Sequence, residues 1–355
     1  MSEGNLKNYK IHFDDKKKIF NDFFQVLSNK ITYQPSPSKG FRTRIEFGIT
    51  KFDNYIHYFM NENDTKKPIS QMQICHPRIN LLMEELIQEI RVNKEIRDKL
   101  FQVEFQVSRK GDALISLIYH RQLSSKWIET ASILSKKIDC SLVGRSRKQK
   151  LVVGKDYVSE TYVVSEEDYQ LRLFEQCFSQ PNPYICDAIL EWIFNEIYKS
   201  KDVLELHCGI GTFTIPLSNS FDKVLATDNS RNCIKGLKEN LRINSSSNVS
   251  IARLSGDETL SALSGDRMFY RLRNLDLKSF SLDTVFVDPP RAGLGIYTLE
   301  KIKNFSQIIY VSCGFNSLKN DIEHLSSTHK VSCAGLFDQF PFTDHIESTI
   351  ILNKR

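Results

Sequence analysis

Two apolar runs in the second half of the chain end in residue types that can perform covalent or acid–base chemistry. Residues 308–311 are apolar and lead through Ser312 to Cys313, and residues 285–287 lead to Asp288-Pro289-Pro290-Arg291. Such runs are typical of buried parallel strands, whose carboxyl ends carry the functional groups of open α/β sheets. Because proline fixes φ and lacks a backbone donor, the two prolines predict a rigid loop. We therefore expect Cys313 to act as a nucleophile and Asp288 to help hold the substrates.

A glycine-containing turn upstream indicates a nucleotide-type cofactor. Gly209 and Gly211 stand between an apolar strand and a helix start, where glycine lets the backbone approach a bound nucleotide. Asp228 follows Gly211 by 17 residues, at the end of the next predicted strand, where a carboxylate can accept hydrogen bonds from ribose. The dinucleotide fingerprint needs a third glycine where this chain has Thr214, which disfavours NAD. A tight turn without a ligand is the alternative interpretation.

The elements that must position these residues divide the chain into two domains. With 355 residues, of which 41% are hydrophobic and 26% charged, the chain has a globular composition and is too long for one ordinary core. We place the boundary at residue 165. Residues 166–355 alternate apolar strands with helices, which predicts an α/β domain with seven strands, the last two forming an antiparallel hairpin. Residues 1–165 predict an α+β domain, with an amphipathic helix over residues 14–28 and a hairpin over residues 100–119.

The two predicted domains differ in charge. Residues 1–165 contain 28 Lys and Arg against 19 Asp and Glu, whereas residues 166–355 contain 20 against 24. A basic first domain suits a polyanion, and the basic run Arg145–Lys150 would then contact phosphates. A solvated, lysine-rich surface is the alternative explanation for both features.

Cysteine usage and hydropathy limit the class of protein. The eight cysteines show no C-x-x-C spacing, so neither a zinc ribbon nor an iron–sulfur cluster is predicted, and we expect no metal. No apolar run approaches the roughly 20 residues that a membrane span needs, and the first residues are polar. We therefore expect a soluble, cytoplasmic protein with no membrane partner.

Together these motifs resemble those of the bacterial tRNA (uracil-5-)-methyltransferases, which form 5-methyluridine at position 54 in the T loop of tRNA. The resemblance covers nearly the whole chain through the stretches Phe41–Phe47, Leu100–Val107, Ser116–His120, Phe178–Asn182, Leu204–Gly211, Arg271–Ser279, Phe286–Gly293, Tyr310–Cys313 and Leu336–Phe342. The stretch Arg271–Ser279 is similar to the tRNA-specific branch. The resemblance implies an RNA-recognition domain over residues 1–165 and a seven-stranded Rossmann-like, S-adenosylmethionine-dependent methyltransferase domain over residues 166–355.

The resemblance also implies roles for individual residues. Cys313 would add to C6 of uracil and thereby activate C5, and Glu347 would remove the C5 proton after methyl transfer. The positions that match cofactor contacts are Gln180, His207, Thr212, Asp228 and Asp288. The positions that match contacts to the unstacked bases of an opened T loop are Arg44, Phe101 and His120.

Three places depart from the family pattern. His207 replaces the common Tyr and Thr212 the common Asn, but both side chains can still form hydrogen bonds. Gly314-Phe315 stands where the family usually has Asn-Pro. Because glycine is more flexible than asparagine, we expect a less rigid turn after the nucleophile.

The favoured function is methylation of uridine 54 of tRNA by a monomer, with the T-loop-like uridine of tmRNA as a second substrate. Methylation of 23S ribosomal RNA is an alternative within the same class. An RNA-binding tRNA-folding factor with weak methylation is an alternative of another class, because a T-loop uridine becomes accessible only when the tRNA elbow opens. An NAD-linked oxidoreductase is disfavoured by Thr214.

Overall fold

The structure, a computed structural model, describes residues 4–52, 55–62, 65–198 and 200–355. These residues form two compact units. The smaller unit comprises Pro37–Glu160 and Arg172–Pro183, and the larger unit comprises the described residues up to Ser36 together with Thr161–Leu171 and Tyr184–Arg355. The predicted boundary at residue 165 differs from this division chiefly at the start of the chain, because the residues up to Ser36 pack with the larger unit.

The strands and helices are numbered along the whole chain. The strands are β1 (Ile31–Gln34), β2 (Arg44–Phe52), β3 (Tyr55–Glu62), β4 (Thr65–Ile69), β5 (Leu100–Val107), β6 (Ala113–Tyr119), β7 (Ser141–Ser146), β8 (Gln149–Val153), β9 (Tyr157–Val164), β10 (Glu167–Phe174), β11 (Asp202–Leu206), β12 (Lys223–Thr227), β13 (Val249–Ala252), β14 (Leu282–Val287), β15 (Gln307–Ser312), β16 (His329–Phe337) and β17 (Glu347–Lys354). The α-helices are α1 (Gly4–Phe24), α2 (Pro77–Val92), α3 (Lys94–Arg97), α4 (Ser125–Lys137), α5 (Pro183–Glu196), α6 (Thr214–Ser220), α7 (Arg231–Ile243), α8 (Gly256–Leu263), α9 (Ile296–Ile302) and α10 (Phe315–Leu325). None of the helices in the described part of the chain is long and apolar enough to cross a membrane.

A seven-stranded sheet, in the order β4-β3-β2-β5-β6-β7-β8, forms the smaller unit. The predicted hairpin over residues 100–119 is confirmed, since β5 and β6 pair in antiparallel fashion. Helix α2 begins after His76, whose ring accepts a hydrogen bond from the Arg78 amide. Its buried residues recur at helical spacing and join the core of this unit; they are Ile79, Leu82, Met83, Leu86 and Ile90.

An eight-stranded sheet, in the order β1-β16-β17-β15-β14-β11-β12-β13, forms the centre of the larger unit. The neighbours from β13 to β15 are parallel, and β17 runs antiparallel to both β15 and β16. The predicted C-terminal hairpin is therefore confirmed. The seven strands predicted within residues 166–355 are all present in this sheet, and β1, from residues 31–34, adds an eighth by pairing in parallel with β16. Ile31 and Tyr33 alternate with the polar Thr32 and Gln34, a short strand pattern that was not recognised in the sequence, and all four residues are half-buried.

Helix α1 packs within the larger unit. It begins at Gly4 and ends at Phe24, earlier at both ends than the predicted range of residues 14–28. Its buried face includes Phe13, Phe20 and Phe24, which belong to the same core as the strands β14, β15 and β17. The first residues of the chain thus complete the larger unit.

Candidate functional site

The carboxyl edge of the larger sheet gathers the predicted side chains of this unit. His207 follows β11, Asp228 follows β12, and Asp288 follows β14. Cys313 follows β15, and Glu347 is the first residue of β17. Because β17 alone runs antiparallel to its neighbours, its first residue lies at the same edge as the last residues of the parallel strands.

The strand register brings Cys313 opposite Glu347. Ser312 pairs with Ser348 in the antiparallel ladder of β15 and β17, so the next step of the register sets Cys313 across from Glu347. The half-buried Cys313 lines a cavity of about 390 Å³, a size that is ordinary for small-ligand sites. Glu347 is buried beside it.

Three charged groups act on the thiol of Cys313. Burial raises its pKa, and the carboxylates of Glu347 and Asp288 raise it further. Arg291 opposes them, since its nearby guanidinium favours the negatively charged thiolate and lowers the pKa. In the sequence, Arg291 was recognisable only as part of a rigid loop. The signal that could have found it is a cation within the same short loop as a predicted substrate-binding carboxylate.

The same guanidinium acts on Glu347. Burial raises the pKa of Glu347 well above its usual range, and the negative charge of Asp288 acts in the same direction. Arg291 lowers the pKa of Glu347. The thiolate and the carboxylate therefore compete for one cation, and protonation of Glu347 makes ionisation of Cys313 easier.

The turn after Cys313 is held by contacts to the proline loop. The Gly314 amide donates a hydrogen bond to Oγ of Ser312 at 3.1 Å. The Ser317 hydroxyl lies 2.8 Å from the carbonyl oxygens of both Gly314 and Arg291. A side chain at position 314 would clash with the Arg291 carbonyl, so glycine permits this close approach. The turn thus has fixed anchors, in contrast to the expected loss of rigidity.

Helix α1 supports the next residue of that turn. The Phe315 ring has its centroid 6.0–6.3 Å from three rings of α1, those of Phe20, Phe23 and Phe24. Contacts of this kind contribute through both buried area and aromatic geometry. Ile19, also on α1, lines the cavity that contains Cys313. The N-terminal helix therefore forms part of the wall around the thiol.

The backbone of the turn after β11 is adapted to close approach. His207, Gly209 and Gly211 have φ angles of 61°, 56° and 95°. A side chain at position 211 would come within 2.6 Å of Leu237 on α7, whereas the space beside Gly209 is open. Asp228 fixes the turn by accepting a hydrogen bond from the Gly209 amide at 3.1 Å. The exposed backbone at Gly209 is thus available to a ligand.

The imidazole of His207 is flanked by two acids. Burial lowers the pKa of His207, and the charges of Asp228 and Asp257 oppose that shift. The ring is therefore neutral at neutral pH. Thr212 lies half-buried in the same turn. Asp257 was not among the predicted site residues, although its place just after β13, at the same sheet edge, was a usable signal.

Glu205 indicates that this edge suits a cationic ligand. This β11 residue is buried, and neither of its carboxyl oxygens has the geometry of a hydrogen bond to another described residue. Burial, with Asp288 and Asp228 nearby and the Thr214 hydroxyl acting against them, raises the pKa of Glu205 to about 8. Burial likewise raises the pKa of Asp288 to about 7. An acidic residue inside an apolar strand was a signal that the sequence analysis missed.

These carboxyl groups fit S-adenosylmethionine, the cofactor that the sequence predicts. The cofactor carries a sulfonium and an ammonium group, and a positive charge relieves both the burial and the mutual repulsion of crowded carboxylates. Glu205, Asp228 and Asp288 would hold its charged end and ribose. Among the described residues no group of His, Cys, Asp or Glu side chains is arranged to hold a metal ion.

In the smaller unit, two of the predicted RNA-binding residues form a stacked pair. The rings of Phe101 and His120 lie 3.8 Å apart and are nearly parallel, at 9°. They line a cavity of about 620 Å³ together with Arg121, Arg145 and Arg147. The exposed face of His120 could extend the stack to an unpaired base.

The arginines that line this cavity differ in whether a carboxylate neutralises their charge. Arg121 pairs with Glu95 at 2.6 Å, and Arg145 pairs with Glu175. Arg147 lies exposed in the turn between β7 and β8. The basic run Arg145–Lys150 is therefore a hairpin whose first arginine is neutralised inside the unit and whose tip is charged.

Arg44 and Gln180 lie elsewhere in the smaller unit. Arg44 pairs with Glu104 and donates a hydrogen bond to the Glu175 carbonyl at 3.2 Å. Its register partner on β5 is Gln106, so it lies about 14 Å along the strand from the level of Gln102, next to Phe101. The structure therefore does not bring Arg44 to the stacked pair. Gln180 is buried, and its part in the cofactor site stays a prediction.

Comparison with known proteins identifies similar chains. The family described as tRNA (Uracil-5-)-methyltransferase matches residues 8–355. The tRNA/tmRNA (uracil-C(5))-methyltransferase of Saccharophagus degradans is 39% identical over 364 residues, covering 100% of this chain and 99% of the relative. The protein of the same description from Acinetobacter baylyi is 40% identical over 345 residues, covering 95% of this chain and 96% of the relative.

One solved structure is similar over nearly the whole chain. It is the crystal structure of the Pyrococcus abyssi tRNA (uracil-54, C5)-methyltransferase in complex with S-adenosyl-L-homocysteine. The TM-score is 0.75 at 19% sequence identity, covering 97% of this chain and 83% of that chain. This likeness confirms the predicted α/β methyltransferase fold with a preceding sheet-containing domain.

Proposed function

The chain belongs to the tRNA (uracil-5-)-methyltransferase family and is an S-adenosylmethionine-dependent enzyme, and from that premise we propose that it methylates C5 of uridine 54 in the T loop of tRNA. The T-loop-like uridine of tmRNA is the second proposed substrate, because the relatives from S. degradans and A. baylyi carry both RNAs in their descriptions. The observation that carries the proposal is the set of Cys313, Glu347 and Arg291 at one sheet edge, beside carboxyl groups that suit the cofactor.

Cys313 activates the uracil ring. Its thiolate adds to C6, and the electron pair of the C5–C6 double bond moves to C5 and O4, which turns C5 into a nucleophile. Arg291 stabilises the thiolate through its positive charge. When bound, S-adenosylmethionine supplies the electrophilic methyl group for C5.

Glu347 completes the reaction. Its carboxylate takes the proton from C5, the C5–C6 double bond forms again, and the thiolate of Cys313 leaves C6. Because burial raises its pKa, the ionised Glu347 binds a proton more strongly than an exposed carboxylate would. The register of β15 and β17, which sets the two residues face to face, supports action of both on one ring.

We assign RNA recognition to the smaller unit. The stacked rings of Phe101 and His120 offer an aromatic surface for an unpaired base, and Arg147 beside them offers a charge for phosphate. A T-loop uridine must leave the folded tRNA elbow before it can react, so surfaces that hold the opened loop are required. This function, like the substrate, is a proposal from the geometry of that unit.

A trapping experiment tests the proposal. The protein is incubated with S-adenosylmethionine and a T-arm stem-loop that carries 5-fluorouridine at position 54. Fluorine cannot leave C5 as a proton, so the covalent adduct should persist as a slower band on a denaturing gel. The band should be absent with Cys313→Ala. Absence of the band with the unchanged protein, while RNA binding persists, would rule out this mechanism on this substrate.

The same experiment separates the alternatives. A 23S ribosomal RNA fragment with 5-fluorouridine should give no band if tRNA is the substrate. A folding factor should promote opening and refolding of tRNA equally well with Cys313→Ala, whereas it would give little or no adduct. The intact arrangement of thiol, cation and base in this chain favours the enzyme.

A further inference from the structure

A segment of the larger unit carries an arginine-rich surface that the proposed reaction does not use. The segment covers residues 264–281, between α8 and β14. The segment contacts the edge of the sheet through apolar side chains. Phe269 and Leu272 pack with Ala252 and Leu254, which lie at and just after the end of β13. We call the outward side chains of Arg267, Met268, Tyr270, Arg271 and Arg273 the arginine patch.

The side chains of the arginine patch are open to solvent. Met268 is 96% exposed and Tyr270 is 78% exposed, and all three arginines are exposed. The Arg273 guanidinium lies over the Tyr270 ring, 3.9 Å from its centroid, and Arg267 lies over Phe269 at 4.9 Å. Cation–π pairs of this kind hold flat, charged groups in a fixed orientation. Large apolar and aromatic side chains at such exposure are unusual unless something covers them.

The positive charge of the arginine patch is largely uncompensated. The segment contains two acids: Asp266 is engaged by Lys301 at 2.7 Å and by the Tyr297 hydroxyl at 3.0 Å, and Asp276 accepts a hydrogen bond from the Lys278 amide at 3.1 Å. Arg271 donates to the Arg253 carbonyl at 2.9 Å and lies 3.9 Å from Glu258. Within the described ranges of the chain, neither Arg267 nor Arg273 forms an ion pair with a carboxylate. Two guanidinium groups without a carboxylate partner, next to an exposed aromatic ring, match a polyanion with stackable bases.

The arginine patch lies at the same sheet edge as the thiol. Arg253 directly follows β13, and its contact with Arg271 brings the patch to the carboxyl end of that strand. In the strand order, four steps separate β13 from β15, which ends next to Cys313. At about 4.8 Å per step the separation is about 19 Å. That distance corresponds to roughly five or six nucleotides along one nucleic-acid strand. It is larger than the extent of a small loop centred on the target base.

We propose that the arginine patch binds the sugar–phosphate backbone of the substrate RNA outside the T loop, with Arg267 and Arg273 on phosphates and Tyr270 against an adjacent base or ribose. The inference rests on the proposed function and deepens it, because it places a second RNA contact on the unit that carries the thiol. A full-length tRNA has more backbone at this distance from uridine 54 than an isolated stem-loop, which has only the far part of its stem there. The patch therefore favours whole tRNA over its T arm alone.

The test compares two double variants on two RNAs. Arg267→Gln with Arg273→Gln removes the unpaired charges of the patch. Lys235→Gln with Lys238→Gln removes two exposed charges from α7 and serves as the matched control. The kcat and KM for methylation are measured on full-length tRNA and on the T-arm stem-loop, at several salt concentrations. Thermal unfolding shows whether each variant remains folded.

The arginine variant should raise KM about 10-fold or more on full-length tRNA, since a lost contact of 1.4 kcal/mol corresponds to a factor of about 10. Its kcat should stay unchanged, and the slope of log KM against log salt should fall by about 2, one for each phosphate contact. The rise in KM should be smaller on the stem-loop than on full-length tRNA, and the lysine variant should show wild-type values on both RNAs.

Three results would overturn the inference. They are an unchanged KM on full-length tRNA, an equal rise on the stem-loop, and an equal rise with the lysine variant. The first of these would leave a protein partner as the explanation for the exposed Met268 and Tyr270. If the unchanged enzyme methylates neither RNA, the proposed function fails instead, which is a separate outcome.

Discussion

The ammonium group of Lys16 on α1 lies 2.7 Å from Oδ1 of Asp338, and the two side chains are only 5% and 1% exposed. Lys16 also donates to the Phe340 carbonyl at 2.8 Å. Asp338 directly follows β16, and the connection from it leads to Glu347 at the start of β17. The N-terminal helix therefore fixes the segment that precedes the proposed base, while its phenylalanines support the turn that follows Cys313.

Removing the cation of this buried pair should destabilise the fold. We expect Lys16→Met to lower the free energy of unfolding by about 3–5 kcal/mol, because Asp338 is then a buried charge without its partner. The double variant Lys16→Met with Asp338→Leu should recover most of that loss, since two apolar groups need no partner. Urea unfolding at pH 7 measures both.

Lys17→Met is the matched control for that series. Lys17 pairs with Asp14 at the surface, where ion pairs contribute roughly 0–1 kcal/mol. A single and a double variant that lose the same stability would contradict the view that the unpaired carboxylate causes the loss.

Arg291 should control the ionisation of Cys313. Because the guanidinium lowers the pKa of this thiol, Arg291→Met should shift the midpoint of iodoacetamide alkylation to higher pH and reduce kcat/KM at pH 7. Alkylation is followed by mass spectrometry in a Cys233→Ser background, since Cys233 is the other cysteine that is only partly buried among the described residues. Arg231→Met, on the exposed start of α7, is the control. An unchanged midpoint would remove Arg291 from the role we give it.

Cofactor affinity should depend on pH through the buried carboxyl groups. Asp288 and Glu205 have pKa values raised to about 7 and about 8, so both are increasingly ionised as the pH rises through that range. A cation binds the ionised forms, so the affinity for S-adenosylmethionine should rise over the same interval, with release of protons. Calorimetry in buffers of different ionisation enthalpy measures both quantities.

S-adenosylhomocysteine is the control ligand for this prediction, because it lacks the sulfonium charge. Its affinity should change less with pH than that of S-adenosylmethionine. Asp288→Asn should flatten the profile of the charged ligand. Identical pH profiles for the two ligands would show that the carboxyl groups do not respond to the cofactor's charge.

Much of the larger sheet was predictable because parallel strands buried on both faces form continuous apolar runs. Strands β12 and β15, over residues 223–227 and 307–312, are examples of such runs. Strand β1 was missed because its four residues carry no such pattern and its partner β16 lies near the other end of the chain. The contact between Lys16 and Asp338 is hidden for the same reason, since sequence spacing reveals neighbours on one element but not across distant ones.

The residues of the candidate site also fall into those that the sequence revealed and those that it did not. Cys313 and Asp288 could be predicted because they are polar residues at strand ends. Glu347 was predicted only from the family resemblance, since its position in the sequence does not distinguish it from the other acidic residues. The effect of Arg291 on the thiol depends on the direction of a long side chain, which the sequence does not encode locally. Glu205 was accessible in principle, because few charged residues lie inside fully buried strands.

A methyl group added at position 314 should impair formation of the covalent adduct. In Gly314→Ala the new side chain would meet the Arg291 carbonyl and push the proline loop away from the turn, which moves the guanidinium from the thiol. A displacement near 1 Å costs about 100-fold in rate, so the adduct with 5-fluorouridine RNA should form about that much more slowly. Gly295→Ala is the matched control, because a side chain there meets nothing within 4 Å. Gly314→Asn should be at least as slow, even though the family usually has asparagine at this position. A wild-type rate for either variant would mean that the loop and turn can separate without losing the contact between Arg291 and Cys313.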